Sequence, residues 1–109
     1  MPVIQVTAPG TADGEADAAR LQALCGAVAS ALGLPPTGVV AVLCEAAVTT
    51  TGAGPVPAWP LAVLHGSDRG ADATRRALEA AAGSLAEGWA VPRDEVWAEW
   101  AATGPAVRP

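Results

Sequence analysis

Val3-Ile4-Gln5-Val6-Thr7-Ala8 is a β-branched run of strand length, and Pro9-Gly10 ends it. Beyond it, Leu21, Leu24, Cys25, Val28 and Leu32 recur at helical spacing, with Thr11 and Asp13 available as caps. Gly33 and the Pro35-Pro36 pair stop that helix. Val39 to Cys44 is a continuous apolar run, the signature of a strand covered on both faces. A stretch rich in Thr, Gly and Pro, Thr49 to Pro60, separates this strand–helix–strand unit from a second one. In the second unit Leu61 to His65 reads as a strand. Leu78, Ala81, Ala82, Leu85 and Trp89 stripe a helix with Ser67, Asp68 and Asp72 as candidate caps and an end before Pro92. Glu95 to Ala101 reads as the last strand. First strands start about 58 residues apart, helices about 57 and second strands about 56, so a duplicated βαβ unit is the economical reading.

The expected architecture is α/β in the α+β sense. Tandem βαβ units form one four-stranded sheet with two helices on one face. Residues 1–109 make one domain, with units at 1–48 and 61–109 joined by the loop 49–60. No third layer is encoded, so the bare sheet face is expected to be covered by another subunit.

Composition narrows the function. Eleven acids face six bases, all arginine (Arg20, Arg69, Arg75, Arg76, Arg93, Arg108), for a net charge of −5. That balance argues against nucleic acid and anionic membranes, which need a basic surface. With no lysine there is no Schiff-base lysine, and with no tyrosine no phenolic acid. One histidine, His65, and two cysteines, Cys25 and Cys44, are too few and too scattered for a zinc spacing, so no metal or cofactor is expected. The opening residues lack a basic segment and a long apolar segment, and no apolar run is long enough to span a bilayer. The chain reads as cytoplasmic, with Cys25 on a helix face and Cys44 in a strand as reduced thiols.

Four stretches carry a resemblance. They are the opening Pro2-Val3-Ile4-Gln5-Val6, the Leu34-Pro35-Pro36 turn into Val39 to Leu43, Leu64-His65-Gly66, and Arg93-Asp94-Glu95-Val96-Trp97. Together with the repeated βαβ order they resemble the tautomerase superfamily over most of the chain. The nearer likeness is to its longer, fused members, such as macrophage migration inhibitory factor and malonate semialdehyde decarboxylase; 4-oxalocrotonate tautomerase is similar to the first half. The resemblance implies a homotrimer with a pocket at each N-terminal proline and a small-molecule carboxylate as substrate. It also exposes departures: arginines of the short member fall here at Val40 and around Gly10 and Thr11, and a family lysine before the double proline is Leu34.

Pro2 follows the initiator, and a small second residue ordinarily lets the methionine be removed, which frees a secondary amine. An α-amine titrates near pH 8, and apolar surroundings lower that value, so Pro2 suits a general base at neutral pH. Base chemistry on a keto acid needs a cation for the carboxylate. Arg69 is the candidate, its other reading being a solvated arginine before a helix; Arg75 and Arg76 read as a solvated helix face. In the last strand, alternation sets Trp97 and Glu99 on one face and Val96, Ala98 and Trp100 on the other. Trp97 would wall the pocket, Glu99 would orient water or share a proton, and His65 at the end of the third strand lies toward the same region. The expectation is a tautomerase acting on a small unsaturated or α-keto acid through Pro2. The alternatives are a decarboxylase or hydratase with protonated Pro2 and Glu99-activated water, or a non-catalytic trimeric binding protein.

Overall fold

The computed structural model describes residues 1–102; Arg108 and the end of the second unit lie outside the described residues. Six strands, two helices and two short 3-10 turns follow in order: β1 (Val3–Ala8), α1 (Gly14–Leu32), β2 (Val40–Glu45), β3 (Thr50–Thr51), β4 (Gly54–Pro55), β5 (Leu61–Gly66), α2 (Ala71–Gly88) and β6 (Trp97–Ala102). The 3-10 turns, Pro36–Gly38 and Arg93–Glu95, immediately precede β2 and β6.

The main sheet has the order β2-β1-β5-β6. Each βαβ unit pairs its strands in parallel, and the two units meet through β1 and β5 running antiparallel, so the sheet is mixed. Both helices pack on one side, against each other and against the sheet. Alternation sends Ile4, Val6 and Ala8 of β1 and Ala62 and Leu64 of β5 into the core, where they meet Leu24 and Val28 of α1 and Ala77, Ala81 and Leu85 of α2. Alanine at these α2 positions keeps the helix thin where it meets its neighbours, so a chain poor in aromatics still closes its core.

Element ends differ from expectation by local causes. Asp13 caps α1, accepting from the N–H groups of Glu15 and Ala16, as the sequence suggests. Helix α2 has no side-chain cap: its N-cap is Gly70 at φ 87°, and the Asp68 carboxylate accepts from Gly70 N–H instead. The last strand begins at Trp97 rather than Glu95, because Pro92 starts a 3-10 turn in which Glu95 N–H donates to the Pro92 carbonyl. The matching turn, with Gly38 N–H donating to Pro35, delays β2 to Val40. The Thr49 to Pro60 segment contains a small hairpin, β3 with β4.

On the uncovered face, three rows cross the four strands. They are Val40, Val3, His65 and Ala101; then Val42, Gln5, Val63 and Glu99; then Cys44, Thr7, Leu61 and Trp97. Val42 is 48% and Trp97 58% exposed, so the sheet carries apolar surface on both sides but a layer of this chain on only one. Among the described residues no helix is long and apolar enough to cross a membrane.

Candidate functional site

The antiparallel pairing of β1 with β5 decides what surrounds Pro2. Val3 lies opposite His65, so the N-terminal end of β1 sits beside the C-terminal end of β5. Parallel pairing carries that end on to Ala101 and Ala102 of β6, opposite His65 and Gly66. On the other flank the Pro2 carbonyl accepts the Val40 N–H at 3.1 Å. The proline ring is fully buried, whereas Met1 is 60% exposed.

Gly66 leaves little room at this end. A Cβ there would stand 3.1 Å from Cζ2 of Trp100 and 3.7 Å from Cα of Pro2, so the glycine lets the indole and the proline crowd the same point. Three residues on, Arg69 is half-buried, and its Nε is buried without a hydrogen-bond partner. The other buried side-chain donor without a partner among the described residues is Nε1 of Trp100. Unpaired donors in an apolar setting are costly, about 1–3 kcal/mol each; Arg69 follows the end of β5, and the ring of Trp100 reaches Gly66 at that same end.

Of the residues singled out in the sequence, Pro2, His65 and Arg69 come to one end of the sheet. Glu99 and Trp97 share a face, as alternation requires, but lie elsewhere in this chain. Glu99 is opposite Val63, in the row of Gln5. Trp97 is opposite Leu61, in the row of Thr7, five residues down β1 from Pro2, or roughly 16 Å along the strands. Trp97 instead borders a cavity of about 720 Å³ between α2 and β6, which Arg75 and Arg93 also line. Arg75 pairs with Asp72 at 3.4 Å on the exposed face of α2.

Trp100 escaped the sequence reading as a site residue. Alternation set it on the face of β6 opposite Trp97 and Glu99, which is correct, but no local signal fixes the register that brings its indole to Gly66 and Pro2. Both cysteines are free; burial pushes the Cys25 thiol up, and Cys44 is exposed.

No known family profile matches the sequence. No curated protein matches it either. Solved structures do match. A fused 4-OT that forms an asymmetric trimer superposes with a TM-score of 0.83 at 20% identity, over 93% of this chain and 85% of that one. Pt0534, inactivated by 2-oxo-3-pentynoate, gives 0.82 at 16% identity over the same shares. Macrophage migration inhibitory factor from Giardia lamblia gives 0.75 at 15%, over 92% of this chain and 97% of that one. The likeness to the tautomerase superfamily read from four short stretches therefore extends to the whole fold, that of fused 4-OT and macrophage migration inhibitory factor.

Proposed function

We propose that the chain is a cytoplasmic tautomerase working as a homotrimer, with Pro2 as general base on a small unsaturated or α-keto acid. The observation that carries this reading is the sheet end itself: a buried proline that becomes a free amine once the exposed Met1 is removed, with an arginine half-buried nearby and a guanidinium N–H lacking an acceptor. The neutral amine takes the enol hydroxyl proton. The oxygen lone pair closes the C=O bond, the C=C pair moves to the carbon end, and the same nitrogen returns the proton there. Arg69 holds the substrate carboxylate and offsets the charge that gathers on the enolate oxygen. His65, one strand away from Val3, borders the same end.

Trp97 and Glu99 act at the Pro2 site of a neighbouring copy in this reading. They stand on the edge strand and the bare face, where a second subunit would meet them. The trimeric fused 4-OT supports that assembly, and inactivation of Pt0534 by a 2-oxo acid supports the substrate class. The exposed Glu99 carboxylate favours a second reading, in which protonated Pro2 acts as acid and Glu99 directs water in a decarboxylase or hydratase.

Ketonisation of phenylenolpyruvate separates these. Proton transfer predicts a rate far above buffer that collapses in Pro2→Ala, survives in Glu99→Gln and shows a raised KM in Arg69→Ala. Loss of ketonisation in Glu99→Gln as well would move the assignment to water chemistry. Equal rates for wild type and Pro2→Ala would remove the tautomerase reading for this substrate class and leave the decarboxylase or hydratase and the binding protein.

A further inference from the structure

The duplication leaves two equivalent grooves, one in each half, between a helix and the edge strand that follows it. The groove between α1 and β2 encloses about 460 Å³, and the one between α2 and β6 about 720 Å³. Their floors match at the offset of about 57 residues that relates the halves: Leu21 with Leu78, Val39 with Val96, Ala41 with Ala98. Their rims do not. Arg93 stands where the first groove has Pro36, Arg75 where the first half has Ala18, and Ala82 replaces the larger Cys25. Among the described residues the first groove carries no charged side chain. The second is wider and charged although the helix and strand that frame it are the same, a change that packing alone does not require.

Two cations and two acids line this second groove. Asp68 is committed elsewhere, its carboxylate accepting the Gly70 N–H at 2.9 Å. Arg75 holds Asp72 at 3.4 Å with both side chains largely exposed, a pair worth little and readily exchanged. Arg93 makes no ion pair among the described residues; its Nη2 reaches the Glu79 carbonyl at 3.5 Å, the outer limit of a hydrogen bond. The exposed Glu79 is the acid left to oppose them. Two exposed guanidinium groups therefore border an apolar groove of ligand size.

We propose that the groove between α2 and β6 binds a small carboxylic acid with an apolar body. The carboxylate meets Arg93 and Arg75, whose planar forks match it, and the body lies along Leu78, Ala82, Val96 and Ala98. Pro2 and Arg69 take no part. The row of Trp97, which borders the groove, lies roughly 16 Å along the strands from Pro2 of the same chain.

The test titrates the 15N-labelled protein in its native assembly with 4-phenylbutyrate, which has no enol or keto group to react, and with neutral 4-phenylbutanol. Backbone N–H signals of Leu78, Glu79, Val96 and Ala98 should shift together and saturate with the acid. The alcohol should bind at least about tenfold more weakly, and Arg93→Gln, a change on an exposed turn, should weaken the acid by about tenfold. Ala82→Leu fills the groove and should abolish the shifts, while Arg69→Ala should leave them as in wild type. Equal affinities for acid and alcohol would overturn the proposal, as would the absence of saturable shifts at the groove. Shifts lost in Arg69→Ala but kept in Arg93→Gln would place the acid at the Pro2 end and overturn it too. Binding is read without turnover, so its failure stands apart from any failure of Pro2 as a base.

Discussion

Pro2 and Pro60 occupy the same place in the two halves of the chain. Each ring is fully buried, and each carbonyl accepts an N–H from the first residue of the parallel partner strand, Val40 at 3.1 Å and Trp97 at 3.0 Å. Only Pro2 can become an amine, because the nitrogen of Pro60 is fixed in the bond to Trp59. The duplication thus builds two similar sheet ends, of which one can hold the base. Arginine follows the same asymmetry: the place that Arg69 takes after β5 is held after β1 by Thr11.

Pro60→Ala should therefore cost stability without costing chemistry. Loss of the packed ring and greater freedom of the unfolded chain should lower stability by about 1 kcal/mol, read as a lower denaturant midpoint. The ketonisation rate of the folded fraction should equal that of wild type.

The helix ends show the repeat with a flaw. Gly33 ends α1 at φ 69°, with Leu34 N–H bonding back to Ala29 and Gly33 N–H to Ser30. Ala90 takes the same left-handed place after α2 at φ 54°, with Val91 N–H bonding to Ala86 and Ala90 N–H to Glu87. An alanine there is strained by roughly 1–2 kcal/mol. Ala90→Gly should raise stability by about 1 kcal/mol and the melting temperature by about 4 °C, whereas Gly33→Ala should lower both.

Much of this was legible in the sequence, for physical reasons. Hydrophobic period, Pro92 and the Pro35-Pro36 pair located both helices and the four main strands, and the even spacing revealed the duplication. Alternation placed Trp97 and Glu99 on the face opposite Trp100, and the burial pattern of β6 agrees. What stayed hidden depends on register between distant strands. Nothing local in β1 or β5 states that Val3 meets His65, and that pairing alone brings Trp100 toward Pro2 while leaving Trp97 at the far end. The start of α2 was obscured for a different reason: the Asp68 side chain turns to the backbone of Gly70 and leaves the helix uncapped.

A clamp joins the helices near the opposite end of the sheet. Arg20 Nε donates to the Gly88 carbonyl at 2.8 Å, its guanidinium pairs with Asp17 at 3.0 Å and lies over the Trp89 ring, and Trp89 Nε1 donates to the Pro9 carbonyl at 2.8 Å. Arg20→Ala should cost about 1–2 kcal/mol, since a charged donor, a partly buried ion pair and a cation–π contact go together. The denaturation midpoint should fall while the KM for an enol acid stays unchanged.

Thiol labelling reads the bare face. Cys44 lies on it in the row of Thr7, Leu61 and Trp97, whereas Cys25 sits against the core with its thiol pushed up by burial. In the assembled protein both should react slowly with iodoacetamide. On dilution below the assembly concentration Cys44 should react first, by at least about tenfold, since thiolate fraction and access govern the rate. Rapid labelling of Cys44 in protein that sediments as a trimer would show that this face is not the one covered.

The central claim is that the free amine of Pro2 does the chemistry, and blocking that amine tests it without altering any side chain. The measurement is the rate of phenylenolpyruvate ketonisation by mass-verified Met1-free protein, set against the same chain with one extra residue retained before Pro2. The account predicts a rate far above buffer for the free chain and a return to the buffer rate when the nitrogen is held in a peptide bond. Equal rates from both forms, each folded to the same stability, would contradict it.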